Sequence, residues 1–165
     1  SVAAFIEDKH AQAFPSFGSE RMGAPVVSFC RFDDKEIRLR EPIMEPDALI
    51  IQDTTLLHSV DVFGGLKADG FIVINSTRSF DELGIAEFVG SFPAHHVCHI
   101  GASELAMKHV GRAVPNAALL GGFAAISGQL QMASVAEAIM EKFPGSVGKA
   151  NVAAAQEAFD LAREA

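Results

Sequence analysis

The apolar positions change rhythm along the chain. In residues 1–9, Val2, Phe5 and Ile6 fall on one side of a helical wheel, with Glu7, Asp8 and Lys9 polar beyond them. The chain is therefore expected to open inside the end of an amphipathic helix. Residues 11–14 predict a short strand leading into a polar loop. Residues 25–32, PVVSFCRF, are dense in Val and Phe and predict a strand. After the polar turn Asp33-Asp34-Lys35, residues 36–40 alternate polar and apolar. The two flanking runs read as a β-hairpin. Pro42 and Pro46 mark a loop.

From residue 48 the rhythm is different. Residues 48–51 (ALII), 71–74 (FIVI) and 96–101 (HVCHIG) are short runs, apolar in the main, each ending in small or polar groups. Unbroken runs of this length suit strands buried on both faces of a parallel sheet. A helix through Leu56, Leu57 and Val60, capped by Asp53 or Thr54, follows the first. A turn at residues 67–70 precedes the second, and a helix from Ser103 follows the third. Strands alternating with helical segments give an α/β pattern. Beyond residue 102 only helices are expected. Residues 116–127, NAALLGGFAAIS, are apolar all round, with Gly121 and Gly122 at the centre. Such a helix is buried or packed very closely. Residues 132–143, with Val135, Ile139 and Met140 inward, and residues 149–164 complete a helical C-terminal part.

Composition narrows the function classes. With 165 residues, 49% hydrophobic and 21% charged, the chain fits one globular domain, residues 1–165. A net charge of −8 argues against a nucleic-acid partner. No apolar run approaches the roughly 20 residues a membrane span needs, and the N-terminus has no signal-peptide pattern. Cys30 and Cys98 stand alone without a CxxC, which rules out a cysteine-built iron–sulfur or zinc site within this chain. It also suits reduced thiols in the cytoplasm. All 13 aromatic residues are Phe, so the core is aliphatic and phenyl.

Two places are candidates for chemistry. The first is the loop Gly18-Ser19-Glu20-Arg21-Met22-Gly23-Ala24, where two glycines bracket a hydroxyl, a carboxylate and a guanidinium. It suits a ligand that approaches the backbone closely; the plainer alternative is a connector. The second is the set of strand ends, Asp53, Asn75 and Gly101, since open α/β sheets bind ligands there. The plainer alternative is helix capping. His95, His96 and His99 surround Cys98, but alternation puts His99 on the opposite face from His96 and Cys98, and metal is not expected. His58 and His109 read as lone surface or boundary residues. Ser19 has no histidine at a spacing that implies pairing, neither cysteine has an activating motif, and no GxGxxG follows a strand. By its residues alone the chain carries no self-contained chemistry.

The segment AQAFPSFGSERMGAP, with the hairpin RFDDKEIRLR, EPDALIIQD, LKADGFIVIN and PNAALLGG in that order, resembles the 2-oxoacid:acceptor oxidoreductase family. Its form is that of the gamma subunits in the pyruvate:ferredoxin oxidoreductase (pyruvate synthase) branch. The resemblance covers essentially the whole chain, except that the family's opening strand and Gly-rich turn are absent. It implies a Rossmann-like three-layer sandwich, a mostly parallel sheet with one antiparallel hairpin. It also implies a thiamine-dependent complex that converts a 2-oxoacid and coenzyme A into acyl-CoA and CO2, reducing ferredoxin or another acceptor. Thiamine diphosphate and magnesium would sit in alpha and beta subunits and [4Fe–4S] clusters in a ferredoxin-like delta subunit. This chain would be non-catalytic alone, with Ser19, Glu20 and Arg21 facing coenzyme A and Asn75 a second contact. Arg21 can fork onto a phosphate; Glu20 beside an anion is the awkward member. The same role in a 2-oxoglutarate, branched-chain or aryl 2-oxoacid enzyme, and a purely structural role, are the alternatives. A free-standing nucleotide binder is the outside reading.

Overall fold

The computed structural model describes residues 1–16 and 25–165. Its contacts fall into two compact units, Ser1–Met44 and Glu45–Ala165.

The first unit holds a short helix, α1 (Val2–Ile6), and two strands, β1 (His10–Ser16) and β2 (Val27–Asp33). Asp8 ends α1 in the left-handed conformation, φ 60°. The N–H of Lys9 then reaches back to the Ala4 carbonyl and that of Asp8 to Phe5. This is the Schellman closure, with Asp in the place glycine usually fills. The buried residues of α1 are Ala3 and Ala4, not the expected Val2–Phe5–Ile6 face; Phe5 is 74% exposed.

β1 and β2 pair antiparallel from His10↔Asp33 to Ser16↔Val27. Phe14 sits opposite Phe29 with ring centroids 5.4 Å apart, and Arg31 donates across to Gln12. The hairpin therefore exists, but its partner is corrected: residues 36–40 form no strand. Their alternation buries little, Ile37 being half-buried and the other four exposed. Leu39 is 61% exposed, and Arg38 turns back onto Glu36 two residues away. A strand needs cross-strand neighbours to stabilise it, and β1 supplies them where residues 36–40 do not.

The second unit is an α/β layer structure. Three parallel strands, β3 (Ala48–Ile51), β4 (Phe71–Asn75) and a later strand β5 (Val97–Ile100), lie in the order β3-β4-β5. The expected helix after Asp53 is a 3-10 turn, Thr54–His58, and the β4–β5 connection carries only the four-residue helix α2 (Ala86–Val89) and a 3-10 turn at Ala94–His96. These irregular segments cover one face. There Ile51, Ile72 and Ile74 pack with Leu83, Ile85 and Val89, and Phe63, Phe80 and Phe92 close the edges. Each fully buried isoleucine contributes about 2 kcal/mol from water exclusion.

The other face bears Val73, Cys98 and Ile100 and is covered by helices. These are α3 (Ala102–Val110), α4 (Asn116–Ser127), α5 (Met132–Lys142) and α6 (Ser146–Glu164). The two central glycines of α4 explain its closeness. A Cβ on Gly122 would stand 2.3 Å from the Ile100 side chain, and one on Gly121 only 2.0 Å from the Ala155 carbonyl oxygen of α6. α6 answers with its own small residues, Gly148, Ala154, Ala155 and Ala158, all buried. Among the described residues no helix is long and apolar enough to cross a membrane.

Candidate functional site

All three strands of the second unit run the same way, so their carboxyl ends share one edge: Gln52 and Asp53 after β3, Asn75 at the end of β4, Gly101 after β5. Asn75 is the hub of this rim. Its Nδ2 donates to the Gln52 carbonyl at 3.0 Å and to Ser103 Oγ at 2.9 Å, and its Oδ1 accepts from the Ser103 N–H at 3.1 Å. One carboxamide thus links the ends of neighbouring strands and caps α3.

The neighbouring rim residues are equally committed. Asp53 accepts from both the N–H (2.9 Å) and the hydroxyl (2.7 Å) of Thr55, and these bonds, the hydroxyl's first, hold its carboxyl below the usual carboxylate range. It caps the 3-10 turn, the plainer of its two expected roles. Ser76 is buried; its N–H donates to the Ile100 carbonyl, and its hydroxyl accepts from the Arg78 N–H. Gly101 precedes α3, and a Cβ there would meet Thr77 Cγ2 at 2.7 Å, so a side chain at this position requires Thr77 to shift. Beside it an open groove of about 390 Å³ is lined by Thr77, Gly101, Glu104, Leu105, Lys108 and Leu161.

Ser19, Glu20 and Arg21 lie outside the described residues, as does the predicted loop around them. The histidines separate as alternation requires. His96 stacks on Phe71, its Nδ1 2.8 Å from the Asp69 carbonyl, and His99 meets Phe80 edge-on on the face opposite Cys98. Among the described residues no three His, Cys, Asp or Glu gather where a metal could be held. Burial pushes the Cys98 thiol up to about 12, so it is no nucleophile at neutral pH.

Two contributors were not singled out from the sequence. Ser103 completes the Asn75 network; its only advance sign is a hydroxyl two residues beyond a strand-end glycine. Glu157 of α6 binds both Lys108 and His109 of α3. Those residues are 48 and 49 positions away, a distance no local pattern reveals.

The family described as "Pyruvate ferredoxin/flavodoxin oxidoreductase" matches residues 1–161. "Pyruvate synthase subunit PorC" of Methanocaldococcus jannaschii is 43% identical over 158 residues, 96% of this chain and 83% of that protein. The "Pyruvate/ketoisovalerate oxidoreductases common subunit gamma" of Thermococcus litoralis is 42% identical over 158 residues, 96% of this chain and 84% of that protein. The crystal structure of the pyruvate oxidoreductase subunit PORC from Thermotoga maritima superposes with a TM-score of 0.78 at 27% identity, covering 96% of this chain and 83% of that one. With residues 1–161 matched by the family and its fold shared with a solved member, the chain belongs to the pyruvate ferredoxin/flavodoxin oxidoreductase family.

Proposed function

We propose that this chain is the gamma subunit of a 2-oxoacid:ferredoxin oxidoreductase acting on pyruvate, and that it shapes the coenzyme A site of the complex without chemistry of its own. The observation that carries the reading is the unbroken match over residues 1–161, which takes in the 18–24 loop as well as the sheet. The overall reaction is 2-oxoacid plus coenzyme A giving acyl-CoA, CO2, one proton and two electrons, the electrons passing to ferredoxin or another acceptor. In this reading residues 1–165 work as one gamma-type domain, in the cytoplasm, with alpha, beta and ferredoxin-like delta subunits.

The residues present do not fit the redox centre. A [4Fe–4S] cluster takes four thiolates, and the whole sequence has Cys30 and Cys98. Clusters are therefore assigned to the partner subunits, and the family resemblance implies the same for thiamine diphosphate and magnesium. What this chain offers is anion recognition in the loop. Arg21 has a fork of donors suited to phosphate oxygens and Ser19 a hydroxyl, while the carboxylate of Glu20 is chemically suited to a cation, Arg21 or one of a partner subunit, rather than to an anionic ligand. Asn75, on the sheet edge of the second unit, is the second residue proposed to serve coenzyme A.

The Thermococcus relative is named a common subunit of pyruvate and ketoisovalerate oxidoreductases. One gamma subunit serving two oxoacids supports placing substrate choice in other subunits. Replacement of Arg21 by Ala in the assembled enzyme is expected to raise KM for coenzyme A roughly tenfold or more, the scale of a lost charged hydrogen bond. KM for the 2-oxoacid should stay within twofold. An unchanged coenzyme A KM overturns the loop assignment. A second reading, a purely structural subunit, draws on the internal bonding of Asn75. It predicts lost assembly in the same variant, with normal coenzyme A kinetics in the enzyme that remains.

A further inference from the structure

We infer that Asn75 and Ser103 form a coupled positioning pair, which fixes the carboxyl rim of the sheet for the coenzyme A site without donating to the ligand. The inference rests on the coenzyme A reading above and assigns a division of labour within it.

Asn75 Nδ2 has two hydrogens and both are engaged, one on the Gln52 carbonyl and one on Ser103 Oγ. Donation to a phosphate or carbonyl of a ligand would break a rim bond. The Oδ1 atom is held by the Ser103 N–H. The side chain therefore joins segments 23 and 28 residues away in sequence, and only a carboxamide can do so. Asp would lose both donations and set a carboxylate oxygen against the Gln52 carbonyl; Leu or Ala would leave that carbonyl and the Ser103 N–H without their partner. Ser103 Oγ accepts from Asn75, which aims its own hydrogen away from the carboxamide. The pair holds Gln52 and the first turn of α3 in fixed relation at the edge where open α/β sheets receive ligands. Small displacements of groups that position a ligand weaken its productive binding without removing any contact residue.

The test is steady-state kinetics of the assembled complex carrying N75A, S103A, the double variant, or R21A. Each single rim substitution is expected to raise KM for coenzyme A three- to tenfold, with kcat at saturating coenzyme A and KM for the 2-oxoacid within twofold. Residues acting as a unit are non-additive, so the double variant should be no more than twofold worse than the worse single one. A double effect equal to the product of the two singles overturns the pairing, as does an unchanged coenzyme A KM in both. R21A separates the two levels. If it raises KM while the rim variants do not, the pairing alone fails; if it too is silent, the coenzyme A reading fails with it. Should N75A not assemble, S103A decides by itself, because it leaves the Asn75–Gln52 bond in place, and an unchanged KM overturns the inference.

Discussion

Cys30 and Cys98 differ by environment alone. Cys30 is exposed on β2, whereas Cys98 is 4% exposed between the sheet and its helical layer. Burial raises the Cys98 thiol, so its reactive thiolate is a trace at pH 8. A chromogenic disulfide reagent is expected to label one thiol of the native chain quickly and the second only in denaturant. Two fast thiols would contradict the placement of β5 within the core. At this scale the sequence is informative about types and poor about partners. Asn75 was legible as a strand-end residue, but its bonds to Gln52 and Ser103 depend on where three distant segments meet. The 18–24 loop drew attention by its glycines and charges, yet its link to coenzyme A comes only from resemblance.

Among the elements, the crossing of α4 and α6 leaves no room for a methyl group. Gly121→Ala places a methyl against the Ala155 backbone, which cannot rotate aside, so the helices must separate. The expected cost is about 3 kcal/mol, at the upper end of overpacking effects, read as a shift in denaturant midpoint. Gly111→Ala is the control. Nothing stands within 4 Å, but its φ of 79° is strained for alanine, and about 1 kcal/mol is expected. Equal small effects at both sites would contradict the close approach.

The α3–α6 contact carries a pH dependence. Lys108 first, then His109, hold the Glu157 carboxyl below its ordinary 4.5. A depressed carboxyl stabilises the fold at pH above its unfolded value, and that contribution is lost as pH falls through the folded value. E157Q should therefore flatten the acid side of the stability–pH curve below about pH 5, by well under 1 kcal/mol because Lys108 is exposed and solvent reaches the part-buried carboxylate. An unchanged slope would show the contact to be idle. The continuous apolar runs made β4 and the glycine-centred helix α4 legible, because burial leaves a plain pattern, and marked β3 as well, although this edge strand is not buried on both faces and leaves Ile50 41% exposed. The alternation at 36–40 misled, since period two describes an exposed loop as well as a strand when no sheet lies beneath it.

At the scale of the whole molecule, the chain belongs to a family of oxidoreductases. It has two separated cysteines, no cluster of metal-ligating side chains among the described residues, and a sheet edge whose polar groups are engaged within the chain. Its family match and its likeness to the Thermotoga PORC structure place it in the pyruvate ferredoxin/flavodoxin oxidoreductase family, and the proposed role of a companion subunit accommodates these features. The most direct measurement is to purify the chain by affinity tag from the cell that makes it, then weigh the assembly by native mass spectrometry and assay it. The account predicts stoichiometric larger chains carrying thiamine diphosphate and iron–sulfur clusters, with pyruvate- and coenzyme A-dependent reduction of ferredoxin. A chain that purifies alone, or with partners holding neither cofactor, would contradict it.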